Sequence, residues 1–345
     1  MMHGELGAKI LSRLIRAGGF VRGSELAKEL GVSRATVHRV IEELREMGYA
    51  IESHPRKGYR LVVGDELSMA PQYVMELLRD KVKVRPLLHF IDACRSTQDI
   101  AELFIKEAGV REGLIVLAER MTAGRGRMGR EWYAPPGGLW FTVLLKPPRM
   151  RGFQLLSIAA GVAVAETIRE LYGIDVKLKW PNDVVYKGRK VCGILVEGRF
   201  EADRPQYVLV GIGINVNNEV PEEVRDVAIT LKEILGRNVP RLPLLTKVLM
   251  KLFNYYQLLR EGRLEEVLEK WKRYSETLGK RVKVIGIMET VTGTAVDIDG
   301  DGSLVIETDD GERVRMYAGD VIYVDEDVGG EERSKRGSSG EPGTK

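Results

Sequence analysis

The sequence predicts an α+β chain made of three successive folded segments: a helical unit with a small hairpin, a central domain on a mixed sheet, and a small C-terminal β-barrel. Three observations carry this. Apolar residues recur at helical spacing over residues 9–46. Between residues 87 and 277, short apolar runs alternate with long amphipathic segments. After residue 278 only short runs remain, separated by Gly- and Asp-rich turns. A length of 345 residues suits this count of segments.

In the first segment Ile10, Leu11, Leu14 and Ile15 define a helix that stops at Gly18-Gly19. Ser24 is expected to cap a second helix carrying Leu26, Ala27 and Leu30. Gly31-Val32-Ser33 makes a tight turn, and Ser33 is expected to cap a third helix through Val37, Val40, Ile41 and Leu44. After Gly48, two short strands, Ala50–Ser53 and Tyr59–Val63, flank the turn-prone Pro55–Gly58. Helix, short turn, helix and hairpin is the layout of a winged helix-turn-helix, expected over residues 1–64. Charge agrees. Residues 1–65 hold 11 Lys and Arg against 8 Asp and Glu, whereas the remainder is balanced at 42 of each. A polyanion is therefore expected to bind here, and for this layout that is DNA. Arg34, Thr36, His38 and Arg39 stand near the leading end of the third helix, where a major groove is read, and Arg56, Lys57 and Arg60 suit phosphates from the wing.

Residues 65–86 read as a connector with a helical pattern around Val74, Leu77 and Leu78. In the central domain, 87–277, strands are expected at Ile115–Ala118, Leu139–Leu145, Leu178–Trp180, Val191–Val196 and Val208–Ile214. Helices are expected at Gln154–Tyr172, Leu242–Arg260 and Leu264–Tyr274. The barrel, 278–326, has strands at Val282–Ile285, Thr290–Asp297, Leu304–Thr308, Arg313–Tyr317 and Val321–Val324. Residues 327–345, rich in Gly, Ser and charge, read as a disordered tail. The longest apolar run, Leu155–Ala165, falls short of the ~18 residues a membrane helix needs, so no membrane is expected. Two cysteines are too few for a disulfide framework and point to a reducing, cytoplasmic setting. Four histidines without ligand-spaced partners argue against a structural zinc site.

The densest chemical signal is Gly124-Arg125-Gly126-Arg127-Met128-Gly129-Arg130-Glu131-Trp132. Its first six residues satisfy G-x-G-x-x-G, but Pro135-Pro136-Gly137-Gly138 prevents the helix a dinucleotide site requires. No acid stands about twenty positions on. What remains is a glycine loop with three arginines, able to bring backbone N–H groups and guanidinium forks to a phosphate or carboxylate. The plain alternative is a solvated basic loop. A second signal, Lys177-Leu178-Lys179-Trp180-Pro181-Asn182-Asp183, ends a strand with Asn182 and Asp183 where ligand groups usually sit; Asp183 could hold Mg²⁺. Alone it is also a common turn. The third is Gly188-Arg189-Lys190-Val191-Cys192-Gly193-Ile194-Leu195-Val196-Glu197, with Lys190 heading an apolar strand. The fourth, Gly211-Ile212-Gly213-Ile214-Asn215-Val216-Asn217, permits close backbone approach. No Walker A pattern occurs.

With Arg95-Ser96-Thr97-Gln98 upstream, these four segments resemble the biotin protein ligase family in order, spacing and wording. The resemblance covers nearly the whole chain, and its end units look like the bifunctional biotin operon repressor type. It implies a class II synthetase-like biotin/lipoate ligase catalytic domain followed by an SH3-like barrel. The implied reaction joins biotin to ATP, with Mg²⁺, as biotinyl-5′-adenylate, and then passes biotin to a lysine of a biotin carboxyl carrier protein. By the same resemblance Ser96, Thr97 and Gln98 contact the biotin head group. Arg125, Gly126 and Arg127 belong to the loop that closes over biotin and adenylate, Arg127 guarding the intermediate. Lys190 bridges carboxylate and α-phosphate, and Asp183 positions the metal or the incoming lysine. Trp132, Lys179, Asn182 and Asn215 serve ATP. A homodimer promoted by adenylate, with operator DNA as its partner, is also implied. Two departures stand out. Met121 occupies a position where the family usually has Gln, so Gln98 or a water is expected to take that hydrogen bond. Cys192 replaces a small Gly or Ala.

Three other readings compete: a lipoate–protein ligase of the same fold, a regulator that senses biotin without catalysis, and a ligase whose helix-turn-helix no longer represses. The arginine–glycine loop and KWPND resemble the biotin branch, and Arg127, Asp183 and Lys190 are all retained, as catalysis needs. Arg34, His38 and Arg39 favour DNA contact.

Overall fold

The computed structural model describes residues 2–46, 49–62, 67–147, 154–201, 204–286 and 288–324; Gly48, the end of the second wing strand and the tail at 327–345 lie outside these. Helix α1 (Met2–Ala17) ends where Gly18 turns into the left-handed region. Helix α2 (Gly23–Leu30) starts earlier than its sequence suggests. Arg22, not Ser24, takes the cap position, and Ser24 lies in the first turn. The cause is tertiary: Val21 exchanges two backbone hydrogen bonds with Tyr59 of the wing (2.8 and 2.9 Å), which keeps the chain extended up to Arg22. Helix α3 (Arg34–Glu46) is capped as expected, Ser33 Oγ accepting the Thr36 N–H at 3.0 Å. Strands β1 (Ile51–His54) and β2 (Gly58–Leu61) form the wing.

Helix α4 (Ala70–Leu78) is no loose connector. Ala70, Tyr73, Val74 and Leu78 are buried, and the helix packs against α1 on one side and the central domain on the other. Glu76, also buried, is paired with Arg16 of α1 and with Arg79 at 3.3 Å. One apolar core thus runs from Ile10 of α1 to Trp271 in the central domain.

The central sheet collects β3 (Leu87–Cys94), β4 (Leu114–Arg125), β5 (Glu131–Ala134), β6 (Leu139–Leu145), β7 (Lys177–Lys179), β8 (Asp183–Tyr186), β9 (Arg189–Glu201) and β10 (Arg204–Ile214). Its order is β3-β4-β6-β10-β9-β8-β7, with β5 on β4; β3 and β4 run parallel and the other ladders antiparallel, a mixed sheet. Helix α6 (Gln154–Tyr172), buried from Leu155 to Ile168, lies on one face. Behind it pack α8 (Arg241–Arg260) and α9 (Leu264–Tyr274), while the short α7 (Leu231–Leu235) leads into α8. Helix α5 (Thr97–Ala108) covers part of the other face through Ala101, Val116, Leu144 and Leu209. Alternation along β10 places Gly211 and Gly213 on the same face as Leu209, so past α5 the apolar surface gives way to glycine. That bare strip is the floor of a cleft.

The C-terminal strands β11 (Arg281–Ile285), β12 (Thr290–Ile298), β13 (Leu304–Glu307), β14 (Arg313–Met316) and β15 (Asp320–Tyr323) form an antiparallel sheet, ordered β14-β13-β12-β11-β15. Among the described residues no helix is long and apolar enough to cross a membrane.

Candidate active site

The cleft, about 680 Å³, gathers the residues that the sequence assigns to biotin and ATP, from Ser96, Thr97 and Gln98 to Lys190 and Asn215, together with Met121; Arg95 and Cys192 do not line it. Its floor needs glycine: a Cβ at Gly193 or at Gly213 would stand 2.7 Å from the Trp132 ring, which reaches both strands. At one end Ser96 caps α5, accepting the Gln98 N–H. Thr97 Oγ1 meets Thr142 Oγ1 at 2.8 Å, and the Gln98 amide donates to the Leu195 carbonyl at 3.5 Å. Met121 turns its sulfur to the Thr97 N–H at 3.4 Å. The Met121 position thus holds a soft acceptor pointed at α5, while the Gln98 amide is turned to β9.

At the other end stand the charges. Lys190 Nζ lies 2.8 Å from Asp183 Oδ2 and 5.9 Å from the centre of the Trp132 ring. Arg127 donates to Asn182 Oδ1 at 3.1 Å and to the Gly319 carbonyl at 3.2 Å, and Asn182 Nδ2 donates to Ile194 O at 2.7 Å. Burial lowers the affinity of Arg127 for its proton, against the pull of Asp320 and Asp183. Burial also lowers Lys179, whose ammonium sits 4.8 Å above the Tyr323 ring. Arg125 also lines the cleft and is paired with Asp99 at 2.6 Å and Glu197 at 3.5 Å. The Gly126 N–H donates to the Arg130 carbonyl at 2.7 Å, tightening the loop on itself. Asn215 donates to the Lys190 carbonyl at 3.4 Å. Among the described residues three buried side-chain polar atoms have no hydrogen-bond partner. Asp183 Oδ1 and Trp132 Nε1 belong to residues lining the cleft, and Glu276 Oε2 does not.

Sequence reading missed the contribution of the C-terminal sheet. Asp320 and Val321 line the cleft, Arg130 pairs with Asp320 at 2.8 Å, and Gly319 takes Arg127. It also missed the wall at Val224, Val227 and Ala228, where Val227 O accepts the Lys190 N–H at 2.7 Å. An Asp in a Gly-rich turn and a stretch of short apolar residues carry no local signal for a cleft.

A cleft that sets lysine, arginines and an acid over a glycine floor finds its match among known proteins. The model of the Biotin/lipoate A/B protein ligase family matches residues 90–215, that of the HTH domain residues 8–60, and that of the biotin protein ligase C terminal domain residues 277–323. The bifunctional ligase/repressor BirA of Bacillus subtilis is 34% identical over 93% of this chain and 99% of its own. The chain belongs to the biotin protein ligase family. The bifunctional ligase/repressor BirA of Escherichia coli is 31% identical over 87% of this ligase and 92% of its own length. A biotin protein ligase from Aquifex aeolicus, solved with biotin and ATP, superposes with a TM-score of 0.61 at 35% identity, covering 69% of this chain and 98% of that one.

The second surface of the ligase lies on α3 and the wing. Arg34, His38 and Arg39 are exposed on α3, while Thr36 is half-buried with its hydroxyl on Ser33 Oγ at 2.8 Å. His38 Nδ1 lies 3.3 Å from Tyr59 OH, which ties helix to wing. Arg56 and Lys57 are exposed at the wing turn. Arg60 is already engaged: it pairs with Glu52 at 2.6 Å and stacks 4.8 Å over the Phe20 ring.

Proposed function

We propose that the protein condenses biotin with ATP to biotinyl-5′-adenylate and pyrophosphate, then transfers biotin to one lysine of a carrier domain, releasing AMP. The observation that carries this is the Lys190–Asp183 pair with Arg127 held beside it by Asn182, in a cleft floored by glycine. The first step brings two anions together, and preorganised cations and backbone donors lower its barrier. Lys190 supplies positive charge to the carboxylate and α-phosphate oxygens as the new P–O bond forms. Ser96, Thr97 and Gln98 hold the biotin head group, and Arg125, Gly126 and Arg127 close over the bound molecules, Arg127 retaining the adenylate. Trp132, Asn215, Lys179 and Asn182 receive the nucleotide. The Trp132 ring offers an aromatic face and an unpaired N–H.

The donor set suits Mg²⁺ travelling with phosphates, since that ion commonly takes one or two carboxylates and completes its shell with phosphate and water. Asp183 Oδ1, buried and unpartnered, would hold it. When bound, the ion neutralises phosphate charge. Among the described residues no cluster of three or more His, Cys, Asp or Glu could hold a metal without such help.

Residues on α3 and the wing support operator binding as one half of a symmetric dimer: Arg34, His38 and Arg39 at the major groove, Arg56 and Lys57 on phosphates. An ATP-consuming reaction and two free cysteines suit the cytoplasm. Incubation of the full chain with biotin, Mg·ATP and a biotin carboxyl carrier domain, read by mass spectrometry, tests the ligase reading. One added biotinyl group on one lysine is expected. An unchanged mass contradicts it, as does a parallel incubation in which lipoate in place of biotin is the acid that becomes attached.

A further inference from the structure

We infer that Glu119 and Arg241 are positioning residues for the nucleotide, because together they grip the Gly137–Gly138 turn on which the Asn215–Asn218 wall of the cleft is built. The inference rests on the proposed adenylating function. Neither residue lines the cleft. Glu119 stands on β4, and Arg241 opens α8, 122 positions later. Arg241 Nη1 donates to Glu119 Oε1 at 2.8 Å and to the Gly138 carbonyl at 3.0 Å. The same carboxylate oxygen accepts the Gly137 N–H at 3.0 Å. The acid therefore holds the turn by its N–H and the base by its carbonyl. The Arg241 side chain is only 6% exposed. Neutralising Glu119 removes the carboxylate that this buried guanidinium meets at 2.8 Å and weakens the acceptor that holds the Gly137 N–H.

The grip passes to the cleft through backbone. The Gly137 carbonyl accepts the Asn217 N–H at 2.8 Å. Gly137 has φ +99°, and a Cβ there would stand 2.9 Å from the Asn218 nitrogen, so turn and wall are in direct contact. Asn218 in turn accepts the Val216 N–H at 3.0 Å and donates to Asn215 Oδ1 at 3.3 Å. Asn215 reaches the Lys190 carbonyl. From the far side, Asn217 makes two 2.8 Å hydrogen bonds to the backbone of Val239, just ahead of Arg241. The wall is clamped between the turn and the entry to α8, and the Glu119–Arg241 strut closes the ring. Thr97 and Gln98 have other partners, namely Met121, Thr142 and Leu195. Loosening the strut should therefore disturb nucleotide and spare biotin.

The test uses the full chain carrying Glu119→Gln, which keeps shape and hydrogen-bonding capacity but loses the charge. Three quantities are read: KM for Mg·ATP by pyrophosphate exchange, biotin Kd by calorimetry, and amide hydrogen exchange over residues 215–230. A rise in KM of about tenfold is expected, with exchange at the Asn217 amide faster by about the same factor. Biotin Kd and kcat should stay within about twofold. Arg241→Lys, a milder change should the first variant not fold, is expected to show the same split at smaller size. Biotin Kd and KM moving together, or a lowered melting temperature with unchanged KM, would reduce the strut to a structural role and overturn the inference. The exchange arm requires no ligand. Unchanged exchange in Glu119→Gln refutes the strut itself, whereas a wild-type chain that forms no adenylate refutes the function on which it rests.

Discussion

Two charge clusters in the central domain look alike in composition and differ in what they leave undone. Between α6, α8 and α9, the buried Glu166 receives Lys270 at 2.7 Å, Lys251 at 3.0 Å and the Tyr255 hydroxyl, and Glu170 receives Lys251 and Lys247. Burial alone would raise the Glu166 pKa, but these donors hold it down at about 2. Its carboxylate is satisfied, and it ties three helices together. In the cleft, by contrast, burial weakens the hold of Arg127 and Lys179 on their protons, and Asp183 Oδ1 and Trp132 Nε1 have no partner. Charge density does not separate a strut from a site; unspent hydrogen-bonding capacity does.

The largest expected effect comes from breaking the closed cluster. Glu166→Ala leaves Lys251 and Lys270 without their shared carboxylate and should cost about 3–5 kcal/mol of stability in urea unfolding. Adenylate formation at a temperature where the variant stays folded should be unchanged; a matching fall in rate would erase the distinction between the clusters. The sign with pH follows from the depressed pKa. Glu166 contributes its stability above the ordinary carboxylate range and loses it as pH falls through about 2. The gap between wild type and variant should shrink from pH 5 to pH 2, and a constant gap would mean the ion pairs contribute nothing.

Lys190→Ala is the mirror experiment. Removing one preorganised donor at the reacting centre should cost about 2.7–4 kcal/mol of transition-state stabilisation, at least about a hundredfold in adenylation rate, with little change in the melt. Near-normal pyrophosphate exchange would take Lys190 out of the chemistry. The smallest effect sharpens the other end of the cleft. Met121→Gln should tighten biotin by about 0.5–1.5 kcal/mol, the usual net value of one added hydrogen bond. Equal or weaker binding by calorimetry would show that the sulfur contact to the Thr97 N–H already serves.

What could be read from the sequence was local or contiguous. Gln154–Tyr172 and Leu139–Leu145 match their elements end to end, because one is a long uninterrupted helical stretch and the other an unbroken apolar run bounded by turns. The Ser33 cap was legible because cap and helix are adjacent. Ser24 misled because the Val21–Tyr59 pairing, invisible locally, decides where α2 begins. The cleft's motifs could be read because each is a short continuous string. Asp320 could not, lying 190 positions from Arg130, nor could Glu119, which along β4 resembles any polar residue on a strand. The connector hid its role too: the residues that make α4 amphipathic pack on both neighbours, which composition does not reveal.

Activation of biotin with ATP should depend on the open cluster and not on the closed one. Rapid-quench mixing of the full chain with biotin and Mg·ATP, with no carrier present, tests it most directly. A burst of one biotinyl-5′-adenylate, retained by the protein, and one pyrophosphate per chain is expected, abolished in Lys190→Ala but not in Glu166→Ala. No adenylate, or a burst that survives in Lys190→Ala, would contradict it.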